Sequence, residues 1–357
     1  MDRAIALAWR GWGRVAPNPL VGAVVLAQGT VVGEGWHAEY GEAHAEAVAL
    51  AAAGDRARGA TLVVTLEPCA HVGKQPACTD AVLRAGVARV VAAVADPSPV
   101  AGGGADRLRA AGIDVELGLL ASEAAAQNAP FLHCLRDSSR PYVALKLATT
   151  LDGRIADAGG QSRWISGPDA RDYVQWLRAG FDAIGVGGRT ARRDDASLTV
   201  RGPLTPRVPP RRVIFDPGAQ LDPDQTLVRT ARDVPTIVVA APGIGAGRRE
   251  PLEAAGVTIV EAADLRAALA TLRADGVRSL LVEGGGRLAG ALLAAALVDR
   301  FYWIQAPIWL GDGAVPAIAG LFGVPLERAA RWHVVERRAL GEDTLLVVDR
   351  RSCSPGS

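Results

Sequence analysis

His44, Glu46, Cys69 and Cys78 have the types and spacing to do chemistry together. They sit in Gly41-Glu42-Ala43-His44-Ala45-Glu46, Leu66-Glu67-Pro68-Cys69 and Cys78-Thr79-Asp80. An imidazole and two thiolates supply three ligands to Zn²⁺ and leave the fourth position to water, the mark of a catalytic site. Glu46, two residues past the imidazole, need not bind metal. It can take a proton from the activated water and pass it to leaving ammonia. His-x-Glu, then Pro-Cys, then a further Cys is the pattern of hydrolytic zinc deaminases, here with Cys-x8-Cys in place of Cys-x2-Cys. A purely structural zinc would need a fourth protein ligand, for which His37 or His71 could serve.

The elements around these residues must bring them together. Residues 43–53 are rich in Ala and Leu and predict a helix, with His44 and Glu46 in its first turn, where the helix dipole tolerates a carboxylate. Residues 60–66 are β-branched and apolar and predict a strand. Pro68 then suits the start of a turn or helix, whose positive end would favour the Cys69 thiolate. Thr79 is a candidate N-cap for a helix after Cys78.

The rest of the first third alternates strands and helices. Strands are expected at 21–26 and 30–35 around a Gln28-Gly29 hairpin turn, at 87–95 and at 114–117, with a helix at 122–134 opened by Ser122. Such alternation predicts an α/β layer structure. The polar run Arg136-Asp137-Ser138-Ser139-Arg140-Pro141 reads as a linker. The expected division is therefore a first domain over 1–138, a second over 139–350, and a disordered tail over 351–357.

The second domain predicts strands at 142–148, 183–186, 212–215, 236–240, 257–259, 279–282, 300–304 and 344–348. Helices are expected at 167–179, 264–274 and 287–296. Two glycine-rich segments follow strands, Gly185-Val186-Gly187-Gly188-Arg189-Thr190 and Glu283-Gly284-Gly285-Gly286-Arg287-Leu288-Ala289-Gly290. Glycines let backbone amides approach a phosphate, and a helix N-terminus favours its charge. A plain glycine turn is the other reading. Arg189, Arg192 and Arg193 suit either bidentate phosphate contacts or a solvated face.

Composition narrows the partners. A net charge of +1 over 357 residues gives no electrostatic footprint for nucleic acid. No apolar run approaches a membrane span, and the N-terminus lacks a signal-peptide pattern. Four cysteines, two of them in the metal motif, do not make a disulfide framework. Cys134 and Cys353 read as thiols of a reducing cytosol, so a cytoplasmic enzyme is expected.

Across nearly its whole length the chain resembles the bifunctional riboflavin-biosynthesis family RibD, a pyrimidine deaminase fused to a reductase. The matching segments are Pro17-Asn18-Pro19-Leu20-Val21-Gly22, the three metal motifs with their wide cysteine spacing, Leu145-Lys146-Leu147 with Leu151-Asp152-Gly153-Arg154, Trp164-Ile165-Ser166, Asp194-Asp195 with Leu198 and Arg201, and Glu283-Gly284-Gly285. The resemblance implies a cytidine-deaminase-like three-layer domain followed by a dihydrofolate-reductase-like domain. It implies Zn²⁺ and NADPH as cofactors and a phosphorylated pyrimidine as substrate: a diaminopyrimidinone carrying a ribosylamino 5′-phosphate. The substrate would be deaminated, and its ribosyl group would then be reduced to ribityl. His44, Cys69 and Cys78 would hold the metal, Glu46 would shuttle protons, and Asn18 and His37 would hold the ring. Lys146, Ser162, Arg178, Leu198, Arg201 and Glu283 would surround the second substrate. Ala148, Trp164, Thr190, Asp194, Gly285, Gly286, Arg287, Leu288, Ala289, Gly290 and Ala291 would surround NADPH. A homo-oligomer with no nucleic-acid or membrane partner is expected. Val72, Lys74-Gln75, Ala196 and Pro217 depart from the family's usual residues.

Overall fold

The computed structural model describes residues 1–350; the expected tail over 351–357 lies outside the described residues. The chain divides into two compact units, one of residues 1–137 with 206–208 and one of 138–205 with 209 onward.

The first unit runs α1 (Asp2–Ala8), β1 (Gly22–Ala27), β2 (Thr30–Trp36), α2 (Ala45–Ala53), β3 (Thr61–Leu66), α3 (Cys78–Ala85), β4 (Arg89–Val94), α4 (Gly104–Ala110), β5 (Asp114–Leu117), α5 (Ala121–Gln127) and α6 (Ala129–Arg136). The sheet order is β2-β1-β3-β4-β5. Antiparallel pairing of β1 with β2 and β3 gives way to parallel pairing across β3, β4 and β5. Gln28 and Gly29 both take positive φ at the expected hairpin turn, the backbone that a two-residue turn of this hand requires. Val24 packs with Ala4 and Leu7 of α1. Ala23 and Val25 face Ala45, Ala49 and Leu50 of α2, Val82 of α3 and Leu108 of α4. Helices thus cover both faces of the sheet, giving three layers.

Small residues set the height of α2 above the hairpin. Ala45, Ala49 and Ala53 are completely or nearly buried along one helix face and lie against Gly33 and Gly35 of β2. A Cβ on Gly35 would fall 2.5 Å from the Ala45 carbonyl oxygen. Gly35→Ala is therefore expected to lower stability by about 1–3 kcal/mol through overpacking and to displace the turn that carries His44. An unchanged thermal midpoint would show that the helix can ride outward at no cost.

The second unit runs β6 (Tyr142–Thr149), β7 (Arg154–Ala156), α7 (Pro168–Ala179), β8 (Ala183–Gly187), α8 (Gly188–Asp194), β9 (Arg211–Phe215), α9 (Thr226–Arg229), β10 (Thr236–Ala240), α10 (Ala246–Ala254), β11 (Thr258–Glu261), α11 (Leu265–Ala274), β12 (Ser279–Val282), α12 (Gly286–Ala294), β13 (Arg300–Gln305), β14 (Val315–Pro316), β15 (Trp332–Leu340) and β16 (Asp343–Arg350). Its main sheet has the order β11-β10-β9-β8-β12-β6-β13-β16-β15. It is parallel from β11 to β13 and antiparallel at β16 and β15. β7 and β14 form a separate pair. One face of the sheet packs on α11 and α12. The other carries Ile184, Ile214 and Val238 beneath Ala191, Leu227 and Leu252 of α8, α9 and α10.

Several local expectations are corrected. No helix starts at Pro68; residues 67–77 are irregular. Ala77, in extended backbone, caps α3, and Cys78 is its first residue, so Thr79 is not the N-cap. The helix expected over 122–134 starts at Ala121 and breaks at Asn128. Asn128 instead uses its amide to accept from the Leu20 N–H and donate to the Leu20 carbonyl, both at 2.8 Å. α1, α8, α9, α10, β7, β14 and β15 are further elements that the sequence expectations lack.

Candidate functional site

The first site is assembled where α2 and α3 begin. The backbone turns into α2 at His44, leaving the imidazole at the helix entrance. Its Nδ1 lies 3.1 Å from Cys78 Sγ and 3.7 Å from Cys69 Sγ, and the three donor atoms fall within 4.8 Å of one another. Zinc bonds of about 2.0–2.3 Å at tetrahedral angles would separate such donors by about 3.3–3.8 Å. The donor set thus fits Zn²⁺. Among the described residues, this is the group of His, Cys, Asp and Glu atoms placed to hold a metal. The Cys78 N–H donates to Cys69 Sγ at 3.3 Å, so the positive helix end facing Cys69 is that of α3.

Electrostatics separate the two thiols. The hydrogen bond from Cys78 outweighs burial, and His44 adds to it, holding Cys69 down at about 4. The same contact and burial push Cys78 up. Metal-free, the pair thus shares a proton, which a dication would expel. Contact with Cys69 raises His44 against its burial.

Glu46 is 3% exposed, and burial raises its carboxyl above the usual range even though His44 opposes the shift. The shift makes the carboxylate a stronger base than an exposed one, which suits a group that takes up a proton and then returns it. His37 is also buried. Its Nδ1 lies 3.1 Å from the Ala43 carbonyl, which assigns the proton there. Its Nε2 then accepts from the Asn18 amide at 3.1 Å. Burial lowers its pKa and keeps the ring neutral. Both nitrogens are engaged away from the donor cluster, which removes His37 as a fourth ligand. Asn18, His37, His44, Glu46, Cys69 and His71 line a cavity of about 290 Å³ together with Tyr40, Lys74 and Asp96.

Glu67 is a residue whose role the sequence reading missed. Its buried carboxylate accepts the Asp96 N–H at 2.9 Å and the Ala105 N–H at 2.7 Å, two residues before Cys69. The only sequence signal was its place in the Leu-Glu-Pro-Cys run.

The second site lies at the C-terminal ends of β6, β8 and β12, where the strand order reverses, the usual ligand crevice of an open parallel sheet. Lys146, Ala148, Ser162, Trp164, Arg178, Thr190, Asp194, Arg201, Glu283 and Gly285 line one cavity of about 460 Å³. Trp164 is 68% exposed, not a core aromatic. Arg178 donates to both Glu283 oxygens, at 2.5 and 2.8 Å, and to the Thr199 carbonyl at 2.9 Å. Burial pushes the Glu283 carboxyl up, but Arg178 and then Lys146 overcome it and leave the carboxyl below its usual range. Burial pulls the Lys146 ammonium down, only partly offset by Glu283.

The remaining expected residues lie outside that lining. Leu198 is buried beneath α8 and α9 with Ile184 and Leu227. Gly286, Ala289 and Gly290 are buried, whereas Arg287 and Ala291 are exposed and Leu288 is half-buried. A Cβ on Gly286 would sit 2.5 Å from the Pro316 carbonyl oxygen. These small residues therefore set how closely α12 packs on 316–319. The start of α12 adjoins Gly285 of the cavity lining, and a helix N-terminus of this kind favours a phosphate.

The first unit is thus an α/β zinc-deaminase domain, and the second a reductase domain of parallel-sheet type. Comparison with known proteins gives the family. Residues 1–94 match the cytidine and deoxycytidylate deaminase zinc-binding region, and residues 141–346 match the RibD C-terminal domain. The riboflavin biosynthesis protein RibD of Aquifex aeolicus is 38% identical over 351 residues, covering 98% of this chain and 97% of its own. A solved RibD structure from Acinetobacter baumannii superimposes with a TM-score of 0.82 at 36% identity, covering 98% of each chain. A diaminohydroxyphosphoribosylaminopyrimidine deaminase/5-amino-6-(5-phosphoribosylamino)uracil reductase from Thermotoga maritima does so with a TM-score of 0.82 at 33% identity, covering 98% of this chain and 97% of its own. The chain belongs to the RibD family, the bifunctional deaminase/reductases of riboflavin biosynthesis. Zn²⁺ and NADPH are the cofactors that fit its two domains. No helix among the described residues is long and apolar enough to cross a membrane.

Proposed function

We propose that residues 1–138 deaminate a diaminopyrimidinone carrying a ribosylamino 5′-phosphate, and that residues 139–350 reduce the deaminated product to its ribityl form. The observation that carries this reading is the His44, Cys69 and Cys78 donor cluster with buried Glu46 beside it in one cavity. Zinc, when bound, supplies a Lewis acid that activates water, and NADPH, when bound, supplies hydride.

The chain's own residues do the rest. His44, Cys69 and Cys78 fix the metal. Neutral His37 holds the Asn18 amide in place, and Asn18 presents its Oδ1 and remaining N–H to the ring edge. Glu46 takes a proton from water and returns it to the departing amine. In the second domain Lys146, Ser162, Arg178, Leu198, Arg201 and Glu283 make the substrate's surroundings. Ala148, Trp164, Thr190, Asp194 and residues 285–291 make those of the cofactor. Opening the sugar requires a proton at its ring oxygen, and the half-buried Lys146, beside Glu283 in the cavity lining, is placed to give one. Leu198 and residues 286–290 serve this reading by shaping the loop and helix that carry the contacts.

Product mass tests it directly. Without NADPH, zinc-loaded protein should yield the deaminated ribosylamino product only; with NADPH, the deaminated ribityl product. Deamination in both tubes would strip the second domain of its role, and an unchanged substrate in both would overturn the substrate assignment. His44→Ala should abolish zinc uptake and leave NADPH affinity within about twofold, as expected for independent sites that do not couple. An equal loss of NADPH binding would refute separate domains. The reading also places the enzyme in the cytoplasm as a homo-oligomer, which sedimentation of the purified chain checks: a monomer would refute the assembly.

A further inference from the structure

Resting on the reading of the first domain as a zinc deaminase, we infer that α4 is a brace for the metal site and that Arg107 is its positioning residue. The two cysteine ligands come from separate segments, an irregular loop and the first residue of α3. Little secondary structure fixes one against the other. The links between them are the Cys78 N–H to Cys69 Sγ and the Thr79 N–H to the Cys69 carbonyl at 3.2 Å.

α4 grips both segments. Glu67, on the cysteine loop, accepts from Ala105 in the first turn of α4. Gly104 lies so close to the Pro68 carbonyl oxygen that any Cβ there would overlap it. From the second turn, Arg107 Nη1 donates to the Ala70 carbonyl at 3.3 Å and to Thr79 Oγ1 at 2.9 Å, while Nη2 donates to Asp80 Oδ1 at 2.5 Å. One guanidinium thus ties the residue after Cys69 to the two residues after Cys78. Thr79 is fully buried, whereas the Arg107–Asp80 pair is 43% and 40% exposed. An exposed pair contributes little to global stability. What the fork supplies is register: it keeps the two sulfurs at the spacing a tetrahedral metal needs. Partners outside the ligand shell act on metals in this way, and losing one typically costs about 10–100-fold in affinity.

The test uses zinc-loaded full-length protein and follows metal transfer to an excess of a coloured chelator. Wild-type zinc content is measured first; a chain without stoichiometric zinc overturns the deaminase reading itself. Arg107→Met should release zinc about 10-fold faster, with little change in urea midpoint. The thiolate-to-metal band of the cobalt-substituted variant should shift. Thr79→Val, which removes one of the three links, should accelerate release by a smaller factor, and adding it to Arg107→Met should change little, because that link is already gone. Arg107→Lys, a point charge without the fork, should fall between. Arg109→Met is the control, since Arg109 sits on the same helix but pairs with Asp106 and the Val115 carbonyl. Release within twofold of wild type in Arg107→Met overturns the brace, and so does equal acceleration in Arg109→Met.

Discussion

Glu46→Gln should retain one zinc per chain and lose deamination by about 10³-fold or more, the scale of removing a group that acts as both base and acid. The substitution keeps shape and removes only the ability to exchange a proton. It does not touch the donor set, because Glu46 is not one of the three clustered donors. Nor should it weaken the fold of the metal-free protein. The buried carboxyl has a folded pKa raised above its unfolded value. Any stability tied to its protonated form is therefore present below about pH 4.3 and declines as pH rises through the folded pKa. At neutral pH the neutral amide should be no less stable than the native residue. Zinc content by metal analysis, single-turnover deamination and thermal unfolding decide the matter together. Undiminished turnover would remove Glu46 from the proton path. Loss of zinc would instead place its carboxylate among the ligands.

The metal cluster was legible in the sequence because ligand chemistry restricts residue type. Only a few side chains bind zinc, and the strand-loop-helix pattern around 61–85 leaves few ways to bring His44, Cys69 and Cys78 together. Strands such as Thr236–Ala240 and Ser279–Val282 were equally legible, since a short, largely apolar run buried on both sheet faces has one dominant solution. What escaped was set by tertiary contacts. α8 begins with Gly188 and carries five polar residues in its seven. Its stability comes from packing Ala191 into the core and from Arg192 pairing with Asp216 at 2.7 Å. α10 contains Pro251, a residue that punctuates helices in any local reading. β15 carries Glu336, Arg337 and Arg338 where a strand should be apolar, because it lies at the sheet edge and pairs only with β16.

The site shows the same division. Residues that touch ligands declare themselves by type, whereas residues that hold them do not. Thr79 looks like a helix cap in isolation and is instead an acceptor for Arg107. Gly286 and Gly290 look like phosphate-loop glycines, and their lack of side chains is used by the 316–319 backbone. Asn128 interrupts a helix to hold the Leu20 backbone, two residues from Asn18, across 108 residues of chain. No local pattern encodes such a link.

Glu283→Ala should silence reduction and destabilise the second domain by about 3–5 kcal/mol, the cost of leaving a buried charge without its partner. Here it leaves two: Arg178, which donates to both carboxylate oxygens, and Lys146, whose ammonium burial already disfavours. The pH dependence carries the diagnosis. The folded pKa of Glu283 lies below its usual value, so its stabilising contribution is fully present above the unfolded pKa, about 4.3, and is lost as pH falls through the folded value. The gap in urea midpoint between native protein and variant should therefore be wide at neutral pH and narrow below about pH 4. A gap that stays constant as the pH falls through the folded value would mean packing, not charge, was lost. Lys146 makes the complementary prediction. With Glu283 gone, nothing named among its electrostatic neighbours opposes burial, and Arg178 lowers it further. The pH limb of any residual reduction should then move to lower pH in Glu283→Gln, which keeps the volume while removing the charge. A limb that stays in place would show that Lys146 is not the proton donor and would shift that role to another group lining the cavity.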